Sequence, residues 1–172
     1  MVDQSDLAWR LLVRQHGSDL AFSQMMHAKN FVNDKKYRGV CIDWDDYGRI
    51  TDTPYGVSCS LDESGARSLE KNMITQLAGD DPETLIKAGK YLEHSGVAAI
   101  DLNLGCPQKI AKRGNYGAYL LPQTDRIVAA LSAMVQNLDI PITCKIRRLP
   151  SDDDTLRLVE AIEKTGMHVT WK

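Results

Sequence analysis

From Lys71 onward, apolar positions fall alternately in short strand-like runs and in helical periods. Lys71 to Leu77 (KNMITQL) reads as a strand and Ala78-Gly79 as a turn. Asp81 is then placed to cap a helix whose first turn holds Pro82 and Glu83, since its carboxylate accepts a first-turn N–H and proline has none to lose. The spacing predicts a helix to about Ser95, stopped by Gly96. Val97 to Leu102 (VAAIDL) is a short apolar run, as expected of a buried parallel strand. Gln123 to Gln136 carries Ile127, Leu131, Met134 and Val135 on one helical face, and Pro141 to Arg147 (PITCKIR) alternates like a strand. Ser151 followed by Asp152, Asp153 and Asp154 is read as an N-cap and an acidic first turn rather than a metal or acid/base cluster. That helix is expected to end near Gly166, with Met167 to Thr170 beginning another strand. Strands alternating with helices favour an α/β fold with parallel strands.

The first 70 residues carry a weaker pattern. Asp6 to His16 places Leu7, Leu11 and Leu12 at helical spacing, Gly17 suits a C-cap, and Asp19 to Ser23 (DLAFS) is the next candidate strand. Gly39 to Ser68 is polar, Gly-rich and without a period, and is read as a long excursion.

A length of 172 residues fits one domain with a substantial core. Lys and Arg total 21 against 23 Asp and Glu, a net charge of -2, so a polyanion partner has to be held by a local basic patch. No apolar run approaches the roughly 20 residues of a membrane-spanning helix, and Met1 to Arg10 lacks the apolar centre of a signal peptide. The expectation is a soluble protein of the cytoplasm or nucleus, with no membrane partner. Cysteines stand at 41, 59, 106 and 144, with none of the close spacings of a zinc knuckle or redox dithiol, so no metal is expected. Cys41, Cys59 and Cys144 are read as small buried apolar residues in a reducing compartment.

Strand alternation says which polar residues share a face. Asp101 and Asn103 lie opposite Ile100 and Leu102, and Thr143 and Lys145 lie opposite Ile142 and Cys144. With Gln76, three consecutive strand ends offer Gln76, Asn103 and Lys145. In a parallel barrel these would converge at the C-terminal mouth; equally, polar residues are ordinary where strands meet solvent. The loop Asn103-Leu104-Gly105-Cys106-Pro107-Gln108-Lys109-Ile110-Ala111-Lys112-Arg113-Gly114 presents Cys106 at a strand end, with Lys109, Lys112 and Arg113 close behind. Cations lower a thiol's pKa and attract phosphate, which suits a proton-donating or nucleophilic cysteine beside an anionic substrate. A solvated basic loop with a buried cysteine explains the same residues. His16, His27, His94 and His168 show no spacing that would pair one with Cys106 as a base.

At this loop the chain resembles the tRNA-dihydrouridine synthases. Ile100-Asp101-Leu102-Asn103-Leu104-Gly105-Cys106-Pro107, then Ala111 and Gly117-Ala118, is similar to that family's diagnostic motif. The likeness extends to MVDQSDLAWRLLVR, to Met26-His27-Ala28-Lys29, to ITQLAGDDPETL and to PITCKIR, and GCPQKIAKRGNYGAYL is most similar to the eukaryotic branch that reduces D-loop uridines. The resemblance implies a TIM barrel holding FMN, here a partial (β/α)8 barrel over residues 1–172, with the family's helical tRNA-binding domain outside the sequence. It implies that Met1 lies over the flavin, that Gln76 and Lys145 bond the ring, and that Asn103 and Cys106 face the uracil, with Lys109, Lys112 and Arg113 towards the tRNA. The implied reaction draws reducing equivalents from NADPH or NADH through FMN to uracil C6, while Cys106 protonates C5.

The chain departs from the family at both ends: it opens inside the motif that follows the first strand, and after Thr165-Gly166 the segment from Met167 to Lys172 diverges. The alternative is a truncated, non-catalytic fragment that binds RNA weakly through Lys109, Lys112, Arg113, Arg147 and Arg148. A different FMN barrel acting on a small pyrimidine or enone fits the Cys106 loop less well.

Overall fold

The computed structural model of the protein describes residues 5–41 and 73–167. In chain order the elements are α1 (Leu7–Gln15), β1 (Ala21–His27), α2 (Ala28–Asn33), α3 (Lys35–Cys41), β2 (Met73–Ala78), α4 (Pro82–Ser95), β3 (Ala99–Leu104), α5 (Lys109–Arg113), a 3-10 helix (Gly117–Leu120), α6 (Thr124–Asn137), β4 (Ile142–Ile146) and α7 (Asp152–Glu163). The four strands form one parallel sheet in the order β1-β2-β3-β4. Spatial order follows chain order without the reversal that defines a doubly wound sheet, so the sheet is wound in one direction, as in a barrel wall.

The winding is stabilised on one face. Met26, Met73, Leu77, Ile100, Leu102 and Ile142 join a single apolar core with Leu85, Ala88 and Leu92 of α4, Ile127, Leu131 and Met134 of α6, and Leu158 and Ile162 of α7. Burying each of the larger side chains contributes about 2 kcal/mol, so this face carries most of the stability. The opposite face of the strands holds Gln76, Asp101, Asn103, Thr143 and Lys145, and its polar groups need partners of their own. At the edge of the sheet Leu20 and Phe22 of the β1 segment are about half exposed.

Most predicted elements stand within two residues of their expected place, and the departures have physical reasons. β1 runs from Ala21 to His27 instead of Asp19 to Ser23, and Met26-His27-Ala28-Lys29 is a direct strand-to-helix passage. Gln24 to His27 holds no β-branched residue, so pairing with β2 decides its state, against propensity. β3 begins at Ala99 rather than Val97, because its ladder to β2 opens with Ile74 opposite Ala99. Of the Gly39 to Ser68 excursion, residues 39–41 close α3 and the remainder lies outside the described residues.

The caps follow their local chemistry. Asp6 accepts from Trp9 N at the start of α1, with Gly17 left-handed beyond its end at φ 90°. Ser151 caps α7 through Asp154 N at 3.3 Å, while Asp152 pairs with Arg148 and Asp154 with Arg157, so the acid triplet is structural. Asp81 accepts from Thr84 N at 2.9 Å and from its hydroxyl, and these bonds hold the Asp81 carboxyl below its ordinary value of 3.8. A lowered folded-state value means that the bonus is present above the ordinary carboxyl range and is lost as pH falls through the lowered one. Asp81→Ala is therefore expected to reduce stability by about 1 kcal/mol at neutral pH. Urea midpoints of the two proteins should converge in acid.

Candidate functional site

The polar face is organised around Asp101, which is 2% exposed at the centre of β3. Its Oδ2 accepts from Gln76 Nε2 of β2 at 2.7 Å, and its Oδ1 accepts from Thr143 Oγ1 of β4 at 2.8 Å. Burial pushes this carboxyl up, while the bonds from Gln76 and Thr143 and the nearby charge of Lys145 pull it down. Gln76 Oε1 in turn accepts from Asn103 Nδ2 at 2.8 Å. The side chains of three adjacent strands are thus joined at one level.

β1 enters through its irregularity. Between Phe22 and Met25 the register against β2 slips, and Ser23 Oγ takes over as acceptor of the Gln76 N–H at 3.0 Å. Ser23 is 2% exposed, so this bond replaces a ladder bond that would otherwise be missing in the interior.

Asn103 carries the network into the loop. Its Oδ1 accepts from the backbone N–H of Gly105 at 3.1 Å and of Cys106 at 2.9 Å, folding the chain sharply at the end of β3. The Cys106 carbonyl accepts from Ala118 N at 3.0 Å, so the cysteine is held from both sides. Gly117 makes this possible: at φ +67° it lies so close that a Cβ would stand 2.6 Å from the Cys106 carbonyl oxygen and 2.9 Å from its Cβ. Arg147 Nε donates to the Gly105 carbonyl at 2.6 Å, and Tyr119 Oη to that of Pro107 at 3.0 Å. Asn115, left-handed at φ 51°, donates to Asp80 Oδ2 at 2.7 Å, and Arg126 pairs with the same carboxylate.

The structure brings together Gln76, Asn103 and Cys106 by direct bonds, with Lys145 directly across from Asn103 in the β3–β4 register. Lys145 is exposed and makes no ion pair with another described residue. Lys109, Lys112 and Arg113 lie exposed on α5, one turn beyond Cys106, again without an ion pair among the described residues. Arg147 and Arg148 are engaged by Gly105 and Asp152. Met1, Cys59 and His168 lie outside the described residues. Cys41 is buried, and the half-buried Cys144 has its thiol pushed up to about 12, first by burial, which disfavours its thiolate. Among the described residues no three His, Cys, Asp or Glu side chains gather as a metal site.

Sequence reasoning left out Asp101, Thr143 and Ser23 as site residues. The share of Asp101 and Thr143 in the polar face was visible, that of Ser23 was not, and the bonds between strands depend on register. It also left out the packing of His27 edge-on against Tyr116, at 5.3 Å between rings, beside the Cys106 loop. Burial, then the charge of Lys29, lowers the imidazole's pKa.

The dihydrouridine synthase family model matches residues 1–170. The chain belongs to the dihydrouridine synthase family. A Mus musculus protein named tRNA-dihydrouridine(16/17) synthase (NAD(P)(+))-like is 40% identical over 166 residues, covering 96% of this chain and 30% of that protein. The tRNA-dihydrouridine(16/17) synthase (NAD(P)(+)) of Saccharomyces cerevisiae is 39% identical over 166 residues, covering 96% of this chain and 34% of its own length. That of Schizosaccharomyces pombe is 36% identical over 169 residues, or 98% and 37%. The chain thus spans about a third of these relatives, and its singly wound parallel sheet is a partial barrel of the family's TIM fold.

Gly117→Ala is expected to lower stability by roughly 2 kcal/mol, because a left-handed backbone and a collision with the Cys106 backbone act together. Peptide-resolved alkylation should show Cys106 reacting at an altered rate while Cys41 stays protected.

Proposed function

We propose that this chain forms part of the catalytic barrel of a tRNA-dihydrouridine synthase, reducing the uracil C5–C6 double bond of a D-loop uridine with Cys106 as general acid. The observation that carries the reading is the placement of Cys106 by Asn103 and Ala118 at the mouth where the ends of β2, β3 and β4 present Gln76, Asn103 and Lys145. Parallel barrels place their chemistry at this end. The names of the relatives, which specify uridines 16/17 and NAD(P)(+), support the same substrate and NADPH or NADH as reductant.

The donor set suits FMN. Gln76 retains one Nε2 hydrogen and one Oε1 lone pair, and Lys145 offers an ammonium free of ion-pair partners among the described residues, for a planar ring rich in acceptors. Ala78 and Ala99 on the same face are small, which leaves that ring room. When bound, FMN supplies the hydride for uracil C6. Lys145 and Gln76 would orient the pyrimidine side of the ring. The remaining Asn103 Nδ2 hydrogen orients a uracil carbonyl.

Addition of hydride leaves negative charge on the base, and the Cys106 S–H bond breaks as the C5–H bond forms. The thiolate regains its proton from solvent. A general acid needs no paired histidine. Lys109, Lys112 and Arg113 meet tRNA phosphates, which gives an overall acidic chain a local polyanion site.

The test is the visible spectrum of the intact protein after addition of FMN and removal of excess, followed by dihydrouridine formation on unmodified tRNA. Wild type and Cys106→Ala should both keep the flavin band, while product formation by the variant falls by about 100-fold or more. Undiminished turnover in Cys106→Ala would remove the general acid from the reading; no flavin band in either protein would remove FMN.

A further inference from the structure

We infer that Asp101 is a positioning residue that fixes which way the Gln76 amide faces and, through Gln76 and Asn103, holds the backbone of Cys106. The inference deepens the reading above and rests on it for the cofactor's identity. It follows from the polarity of the chain of bonds.

At one end, the N–H groups of Gly105 and Cys106 can only donate, so Asn103 must turn its Oδ1 towards them. Its Nδ2 then faces Gln76 and requires Oε1 there as acceptor, at 2.8 Å. Gln76 Nε2 is left pointing at residue 101, 2.7 Å from Oδ2. A carboxylate can only accept, and it accepts there. The second oxygen takes the Thr143 hydroxyl at 2.8 Å, which anchors the carboxylate to β4. Donor-only groups at one end and an acceptor-only group at the other leave one orientation for both amides. The hydrogen and lone pair that Gln76 has left are therefore presented to the inner face in one fixed order.

An apolar residue at 101 would remove the acceptor, and the Gln76 amide would be free to turn, loosening its hold on Asn103. Asparagine would keep a carbonyl for Gln76 and turn its amide nitrogen to the Thr143 oxygen, restoring the order without the charge. These two variants separate positioning from loss of the charge, because leucine leaves the Gln76 amide without an acceptor whereas asparagine keeps one.

The experiment compares wild type, Asp101→Leu and Asp101→Asn in the intact protein by peptide-resolved hydrogen exchange and by FMN retention. Asp101→Leu should speed exchange at Gly105 and Cys106 by about tenfold relative to the rest of β3 and weaken FMN retention by about tenfold, the scale of one lost bond to a charged group. Asp101→Asn should return both to within about threefold of wild type. The proposal is overturned if Asp101→Leu leaves both unchanged, if exchange rises equally along all of β3, or if Asp101→Asn behaves as Asp101→Leu does. A wild type that retains no flavin overturns the functional reading and the cofactor half of this proposal; the exchange comparison then still decides the Cys106 half.

Discussion

A carboxylate almost without solvent contact in the middle of a parallel sheet costs several kcal/mol unless its oxygens are occupied. Both oxygens of Asp101 are occupied, by Gln76 and Thr143, from the strands on either side. The arrangement of the inner face depends on those two bonds. They set the height of β2 and β4 against β3, and through Ser23 the same level reaches the irregular part of β1. The fixed charge also gives the Lys145 ammonium an opposite sign nearby without binding it in an ion pair.

The sheet divides its work between its faces. The outer face is mainly aliphatic and closed by α4, α6 and α7, with the Thr75 hydroxyl buried in it without a partner among the described residues. The inner face is polar and closed by hydrogen bonds between side chains, which are directional and tolerate little displacement. Stability and geometry are thereby separated. The helices hold the strands together, and the network determines where the side chains on the other face point.

The Cys106 loop extends that rigidity beyond the sheet. A cysteine at a strand end would ordinarily be mobile, yet its N–H is taken by Asn103 and its carbonyl by Ala118. The close approach of Gly117 and the clamp of Asn115 and Arg126 on Asp80 keep the returning chain against it. The basic residues of α5 are left exposed and unpaired with other described residues. One short segment thus combines a cysteine with a fixed backbone and an exposed basic surface.

Sequence by itself determined the elements whose chemistry is local. Asp81, Pro82 and Gly96 bound α4, Ser151 starts α7, and the spacing of Ile127, Leu131 and Met134 describes the buried face of α6, because caps and periodicity involve residues within a turn of one another. The Cys106 motif likewise named the family, and alternation placed Gln76, Asn103 and Lys145 on one face. Tertiary structure decided the rest. The true span of β1, against its own propensity, was set by pairing with β2. Asp101 reads in the sequence as one polar residue in an apolar strand. Its partners lie 25 and 42 positions away, and only the register of three strands brings their oxygens and nitrogens within bonding distance.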